Sequence, residues 1–185
     1  MKCLAPWHSI LVRFNGDIVP DGVYKARYGN VLKSSLNDVL NSYTATHTKD
    51  SLRMGQLPPE CEQCALKEGS VGHSRRLFFR DILNPMVENN GYDYSKNFTD
   101  ILFLEFNMSN ICNLKCRMCN GISSSAWVKE EKKLAEISAE YQRPVDHPEF
   151  GYTNKSEEII QRLFEDPTPF MNLRYLSIKG GEPYM

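Results

Sequence analysis

The chain has no apolar run near the roughly 20 residues that a membrane-spanning helix needs, and no signal-peptide pattern at its start. A cytoplasmic protein is therefore expected. It has no excess charge of either sign: the formal net charge is −1. That excludes a general nucleic-acid or anionic-membrane surface as its organising feature. The most basic stretch, Arg75-Arg76…Arg80, reads as a solvated helix face. Nor is the chain short of apolar residues. At 41% hydrophobic and 24% charged it is composed like a folded globular protein. Its 185 residues suffice for one ordinary domain or two small ones. Six cysteines are present, and in a reducing compartment short regular spacings point to metal or catalysis rather than to disulfides. One more absence is local. Cys112, Cys116 and Cys119 stand in "NICNLKCRMCN" with no fourth cysteine beside them. A structural zinc site wants four ligands and a disulfide two, whereas three ligands leave a coordination position open.

Two kinds of sequence lie on either side of a polar, turn-rich stretch. Residues 1–90 read as a small α+β domain, 91–98 as a linker, and 99–185 as the start of an α/β unit. In the first part, "SILVRFNGDIVPDGVY" holds two short β-rich runs around Asn15-Gly16, predicting a hairpin with a type I′ turn. Helices are expected over "SSLNDVLNSY" behind Ser34 or Ser35, over "TKDSLRMGQL", and over Ser74 to Asn90 with Pro85 as a possible break. Between them "PECEQC" sets Cys61 and Cys64 as a C-x-x-C pair.

In the second part, "ILFLEF" (Ile101 to Phe106) is nearly continuous apolar sequence, the pattern of a strand buried on both faces. Glu105 and Asn107 share one face by the period of two. The three-cysteine loop follows at once. A helix from about Ser124 to Gln142 is expected to bury Trp127, Leu134, Ile137 and Tyr141. Ser156 is expected to cap another helix with Glu157 and Glu158 in its first turn. "LRYLSIK" (Leu173 to Lys179) reads as a second buried strand, ending in "GGEP". The order strand, loop, helix, helix, strand begins an α/β repeat, and two strands complete neither a barrel nor a doubly wound sheet, so a truncated sheet is expected.

Three thiolates on one loop can hold three corners of a cubane cluster and leave the fourth iron open. The next helix would point its positive end at such an anionic group. Zinc with a distant fourth ligand such as Cys64, or a redox dithiol, are the other readings of the spacing. The motif C-x-x-x-C-x-x-C after a buried strand, with "CNLKCRMC" and a "GGEP" one βα unit later, resembles the signature of the radical S-adenosylmethionine superfamily. The resemblance covers about Ile101 to Pro183. It implies that Cys112, Cys116 and Cys119 ligate a 4Fe–4S cluster whose fourth iron is chelated by S-adenosylmethionine. It also implies that one electron from the cluster releases a 5′-deoxyadenosyl radical that takes hydrogen from substrate. Met118 would then lie near the adenine. Gly180, Gly181, Glu182 and Pro183 would meet the methionine end of the cofactor, with Glu182 accepting from its ammonium group. The implied fold is the beginning of a partial (β/α) barrel, and the implied partner a one-electron donor such as flavodoxin or ferredoxin.

From about Lys2 to Leu77 the chain resembles the twitch domain, the half-size relative of the SPASM domain, which binds an auxiliary iron–sulfur cluster. Some radical enzymes, including phage and marine-metagenome proteins, place such a module in front of the barrel. The resemblance implies Cys3, Cys61 and Cys64 as ligands. Related sequences often carry cysteine where this chain has Asp21 and Gly22, so a fourth ligand is missing. Asp21, His8, His73 or an exogenous group could supply it, or the site could hold zinc or no metal. His47 and His147 read as exposed, Trp7, Trp127, Phe78 and Phe79 as packing residues, and Asn113 and Asn120 as bonding the loop backbone. A peptide or protein substrate is implied only by analogy with enzymes of this build. Two other functions stay open: a cluster-carrying electron-transfer protein without S-adenosylmethionine chemistry, and a structural zinc module.

Overall fold

The computed structural model describes residues 3–88, 90–95, 99–139, 145, 147, 150–151 and 154–182. They form a mixed α/β fold around one open five-stranded sheet, ordered β3-β2-β1-β4-β5.

After the four-residue helix α1 (Ala5–His8), β1 (Ser9–Val12) and β2 (Asp17–Val19) make the expected hairpin. Its turn differs from the expectation. Only Gly16 takes positive φ, at 87°, and no other kind of residue does so among those described. Gly16 N donates to Arg13 O at 2.8 Å, and Arg13 N donates to Asp17 O at 2.9 Å. This is a three-residue loop closed by a left-handed glycine at the bulge, not a two-residue type I′ turn that would need Asn15 left-handed as well. The short β3 (Gly29–Asn30) pairs with β2 on the outer side.

Helices α2 (Leu36–Leu40) and α3 (Tyr43–Arg53) are capped by Ser35 and Ser42, whose hydroxyls accept from Asp38 N and Ala45 N. A 3-10 turn (Pro59–Cys61) leads into α4 (Glu62–Val71), and Ser74 caps α5 (Arg75–Val87) by accepting from Leu77 N. Pro85 lies within α5 without ending it. The basic stretch is not simply solvated. Arg75 pairs with buried Glu105 at 3.5 Å and lies over the rings of Phe78 and Phe79, while Arg76 pairs with Glu68.

Strand β4 (Phe103–Asn107) is an inner strand of the sheet, pairing in parallel with the central β1 on one side and with the edge strand β5 (Tyr175–Lys179) on the other. The ladder therefore runs unbroken from the hairpin to β5. The alternation of β4 is as expected. Leu104 and Phe106 join Ile10, Val12, Ile159 and Leu163 in one core. Phe103 joins Trp7, Phe79 and Leu83 in a second core on the opposite face. Trp7, Phe78 and Phe79 thus pack as expected.

The structure departs from expectation at the far edge. β5 forms, but it is not buried: Tyr175, Leu176 and Ile178 are about half exposed, at 45%, 57% and 51%. It bonds only to β4 among the described residues, so one edge and much of its surface are uncovered.

The helix after the cysteine loop is a 3-10 turn (Ser125–Trp127) running into α6 (Val128–Ile137). It buries Glu131 and Ala135, while Ile137 is 82% exposed. The expected stripe is therefore shifted: the loop bonds to Trp127 and Glu131, and the face carrying Ile137 is turned outward. Tyr141 and Gln142 lie outside the described residues. Helix α7 (Ser156–Leu163) buries Ile159 and Leu163. Ser156 is its first residue rather than its cap; the Asn154 side chain accepts the Ser156 hydroxyl at 2.8 Å. His47 and His147 are exposed.

Candidate functional site

Two sets of cysteines stand apart in the fold. The first is a cleft lined by Cys3, Cys61, Cys64 and Asp21, with Val23, Tyr24, Leu57, Glu60, Gln63 and Arg76 completing the wall. Three separate elements bring these donors together. Cys3 lies just before α1, Asp21 just after β2, and Cys61 and Cys64 at the junction of the 3-10 turn and α4. All three cysteines are free thiols, and Cys3 and Cys64 are buried. Burial pushes the Cys3 and Cys61 thiols up to about 12, and the nearby Asp21 charge and neighbouring thiols add to the rise. Cys64 is raised as well, chiefly by burial, with Asp21 again contributing. Each thiol must shed its proton to bind metal.

The cleft is about 340 Å³ with its mouth counted, but room for water within it is only about 20 Å³. That is roughly one solvent molecule's worth. Among the described residues no three His, Cys, Asp or Glu donors converge as a single metal ion would require. A cluster relaxes that requirement, because each ligand binds a different iron at its own corner.

Of the other fourth ligands considered, His8 is spoken for. Its Nδ1 donates to Asp100 O at 2.9 Å and its Nε2 lies 2.9 Å from the Tyr94 hydroxyl. Burial lowers its pKa below the usual imidazole value. His73 is exposed and does not line the cleft.

The second set is the loop that leaves β4. Cys116 is exposed and Cys112 and Cys119 are half-buried. The Cys119 thiol is raised by partial burial and then by the charges of Cys116 and Cys112, as three neighbouring sulfurs require. Met118 projects into solvent, 94% exposed.

The loop is held by residues that pattern alone did not reveal. Ser125 Oγ accepts from Cys112 N at 3.1 Å and donates to Cys112 O at 3.3 Å. Ser124 Oγ donates to Leu114 O at 2.8 Å. Trp127 Nε1 donates to Cys116 O at 3.1 Å, so this tryptophan is a clamp on the loop rather than a core residue. Gly121 N donates to the carboxylate of buried Glu131 at 2.8 Å, and Lys115 pairs with Glu130. The first turn of α6 therefore spends part of its positive end on its own glutamates. Asn120 accepts from Ile122 N at 3.1 Å as expected, while Asn113 is exposed and makes no such bond among the described residues. Buried Asn110 anchors the loop's entry: its carbonyl accepts from Ser125 N at 2.8 Å and its amide donates to Gly151 O.

Gly180, Gly181 and Glu182 lie directly against this entry. Glu182 N donates to Ile111 O at 2.6 Å, and Met108 N donates to Lys179 O at 2.9 Å. A Cβ on Gly180 would stand 2.5 Å from Ser109 O, and one on Gly181 would stand 2.6 Å from the Ile111 carbonyl carbon. The glycines are thus required by contact between two backbones of the protein, a demand separate from any ligand. Pro183 lies outside the described residues. Glu105 also belongs here. It is buried on β4, paired with Lys179 at 2.9 Å and with Arg75 at 3.5 Å, and so ties the strand before the loop to the residue before Gly180.

Three free thiols and a carboxylate lining one cleft of the N-terminal hairpin module are donors of the kind that iron–sulfur clusters use. In comparison with known families, residues 3–65 match SPASM, an iron–sulfur cluster-binding domain typical of radical S-adenosylmethionine proteins. The matched segment begins at Cys3 and ends just past Cys64, so it contains the whole thiol set of the first cleft. No curated protein and no solved structure matches the chain. No helix among the described residues is long and apolar enough to cross a membrane.

Proposed function

We propose that the chain is the cluster-bearing part of a radical S-adenosylmethionine enzyme, with an auxiliary iron–sulfur site in its N-terminal module. One observation carries the reading. Gly180-Gly181-Glu182 is bonded onto the entry of the Cys112–Cys119 loop, joining the two motifs that the chain keeps about 60 residues apart in sequence. The match of residues 3–65 to a domain typical of such enzymes supports it independently.

Cys112, Cys116 and Cys119 would hold three irons of a 4Fe–4S cluster and leave the fourth to S-adenosylmethionine. When bound, the pair supplies one-electron cleavage of the sulfonium bond and a radical for hydrogen abstraction. The chain's own residues prepare the site. Ser124, Ser125, Trp127 and Glu131 fix the loop backbone and so aim the thiols. The paired glycines keep the Glu182 backbone against that loop, and its carboxylate would accept from an ammonium group. Met118, free of packing, offers an apolar wall to an adenine. Cys3, Cys61 and Cys64 would hold the auxiliary cluster. A flavodoxin- or ferredoxin-type donor would supply electrons, and a peptide or protein is the proposed substrate class.

The test is low-temperature EPR after anaerobic reconstitution with iron and sulfide. A reduced-cluster signal that shifts on adding S-adenosylmethionine, and is lost in Cys116→Ala, is the expected result. A cluster indifferent to S-adenosylmethionine would make the protein an electron carrier. Zinc without iron would make it a structural zinc module.

A further inference from the structure

The cleft around Cys3, Cys61 and Cys64 contains a fourth anionic donor, and its surroundings are unusual for a carboxylate. Asp21 is buried, at 7% exposure. One of its oxygens, Oδ1, accepts from Val23 N at 2.7 Å and Tyr24 N at 3.1 Å, which locks the side chain in a turn. No hydrogen bond reaches Oδ2 and no cation pairs with Asp21 among the described residues, while the residue lines the cleft with the three thiols. A buried carboxylate is costly to charge unless it is paired or coordinates a metal. Among the described residues no cation stands within ion-pair distance of it, and the cleft is where one would sit.

We infer that Asp21 is the fourth protein ligand of the auxiliary cluster, completing a set of three thiolates and one carboxylate through Oδ2. This rests on the reading of the N-terminal cleft as a cluster site. Other donors are less well placed. Both ring nitrogens of His8 are engaged elsewhere, and His73 lies outside the cleft. Glu60 is the other carboxylate on the wall, half-buried in the 3-10 turn. Asp21 differs from it in being fixed by two backbone donors before any metal arrives, so it loses little freedom on binding. Four anionic ligands on a 2+ cubane leave a net charge of −2. Arg76, on the same wall and paired with Glu68, and Arg75, paired with Glu105, are the nearby cations, and the Arg75 charge acts favourably on Asp21.

The experiment uses the full chain carrying Cys112→Ala, Cys116→Ala and Cys119→Ala, so that only the auxiliary site can load. It is reconstituted anaerobically with ferrous iron and sulfide, and iron and sulfide per chain, EPR and midpoint potential are measured. The expected result is a four-iron cluster. Asp21→Ala leaves the fourth iron without a protein ligand, so mild ferricyanide oxidation should strip it and give a three-iron EPR signal that the Asp21 protein does not show. Asp21→Cys should resist that oxidation and move the potential to a more negative value, because thiolate donates more electron density than carboxylate. Glu60→Ala should resist oxidation like the Asp21 protein, at an unchanged potential. The proposal is overturned if Asp21→Ala keeps its fourth iron under oxidation as the Asp21 protein does, or if Glu60→Ala loses it instead. Should Asp21→Ala fail to fold, an unmoved potential in Asp21→Cys overturns it equally. Iron that survives the joint replacement of Cys3, Cys61 and Cys64 by alanine, or zinc in place of iron, would bring down the auxiliary-site reading itself, a different failure.

Discussion

Replacing Gly181 by alanine isolates one contact on which the candidate site depends. The backbone of Gly181 is outside the left-handed region, so alanine can adopt it without strain. What alanine cannot do is fit. Its Cβ would lie 2.6 Å from the Ile111 carbonyl carbon and 2.9 Å from the Asn110 carbonyl carbon, where ordinary contact begins at 3.4 Å. Both neighbours are backbone of the cysteine loop, so one of the two chains must retreat by on the order of 1 Å. That breaks the bond from Glu182 N to Ile111 O and strains the one from Met108 N to Lys179 O. Two such bonds contribute about 1–3 kcal/mol together. Alanine returns about 0.4–1 kcal/mol by restricting the unfolded chain. The net expectation is a loss of about 1–2 kcal/mol, which at a urea slope of about 2 kcal/mol/M lowers the midpoint by roughly 0.5–1 M. Urea unfolding followed by far-UV circular dichroism measures it. Gly69, inside α4 with nothing within 4 Å of its would-be Cβ, is the control. There alanine should stabilise by about 0.5–1 kcal/mol. If Gly181→Ala melts at or above the wild-type midpoint while Gly69→Ala behaves as expected, the close backbone junction is wrong.

Three further outcomes are expected. Ser125→Ala removes both hydrogen bonds to the Cys112 backbone and should cost about 1–2 kcal/mol, with lower iron occupancy at the loop; unchanged metal content after reconstitution would count against the clamp. Phe79→Ala empties a fully buried site packed edge-on against Phe103 at 5.2 Å, and should cost about 3–5 kcal/mol by chemical denaturation. Lys49 is buried with its ammonium donating to Thr99 Oγ1 at 2.7 Å, and burial, then the charge of Arg53, lowers its pKa to about 8. Below pH 8 both folded and unfolded chains hold its proton and the cost, about 3 kcal/mol, is fully present. Between pH 8 and about 10.5 the unfolded chain holds more of that proton, so the Lys49 contribution to stability rises with pH. The wild-type stability minus that of Lys49→Met, followed across this window, should rise; a flat difference would refute it.

Local rules carried much of the fold. The Asn15-Gly16 hairpin, the Ser35 cap and the unbroken apolar run of β4 are short-range features, and each formed. The turn type was missed because a glycine at the bulge satisfies the same two letters with one left-handed residue instead of two. The parallel pairing of β1 with β4 joins strands some 90 residues apart, and nothing in either strand's alternation names its partner. The cysteines were legible by spacing, but the side chains that hold them were not. Ser125, Trp127 and Glu131 act by single hydrogen bonds onto a loop, which leaves no periodic trace. The expected stripe through Ile137 failed for a related reason: α6 gives its inner face to that loop, with Glu131 buried in place of an apolar residue. At Asp21 the family resemblance pointed to a missing cysteine beside Cys3, Cys61 and Cys64 and left Asp21, His8 and His73 as candidates; the structure adds the shared cleft and the backbone bonds that fix Asp21.

The continuous ladder through β1 and β4 has a thermodynamic consequence. The hairpin that carries Asp21 and the strand that ends at the cysteine loop share four parallel-paired positions, from Ser9 with Phe103 to Val12 with Phe106. Neither can melt without exposing the other's edge, so the two loci belong to one cooperative unit. A group bound at either one stabilises the folded sheet by mass action, and hence the geometry awaiting the second. Such coupling is reciprocal: whatever factor the first occupant adds to the affinity of the second, the second returns to the first. Order of loading would then be a matter of supply, with each half-filled form already biased toward the full one.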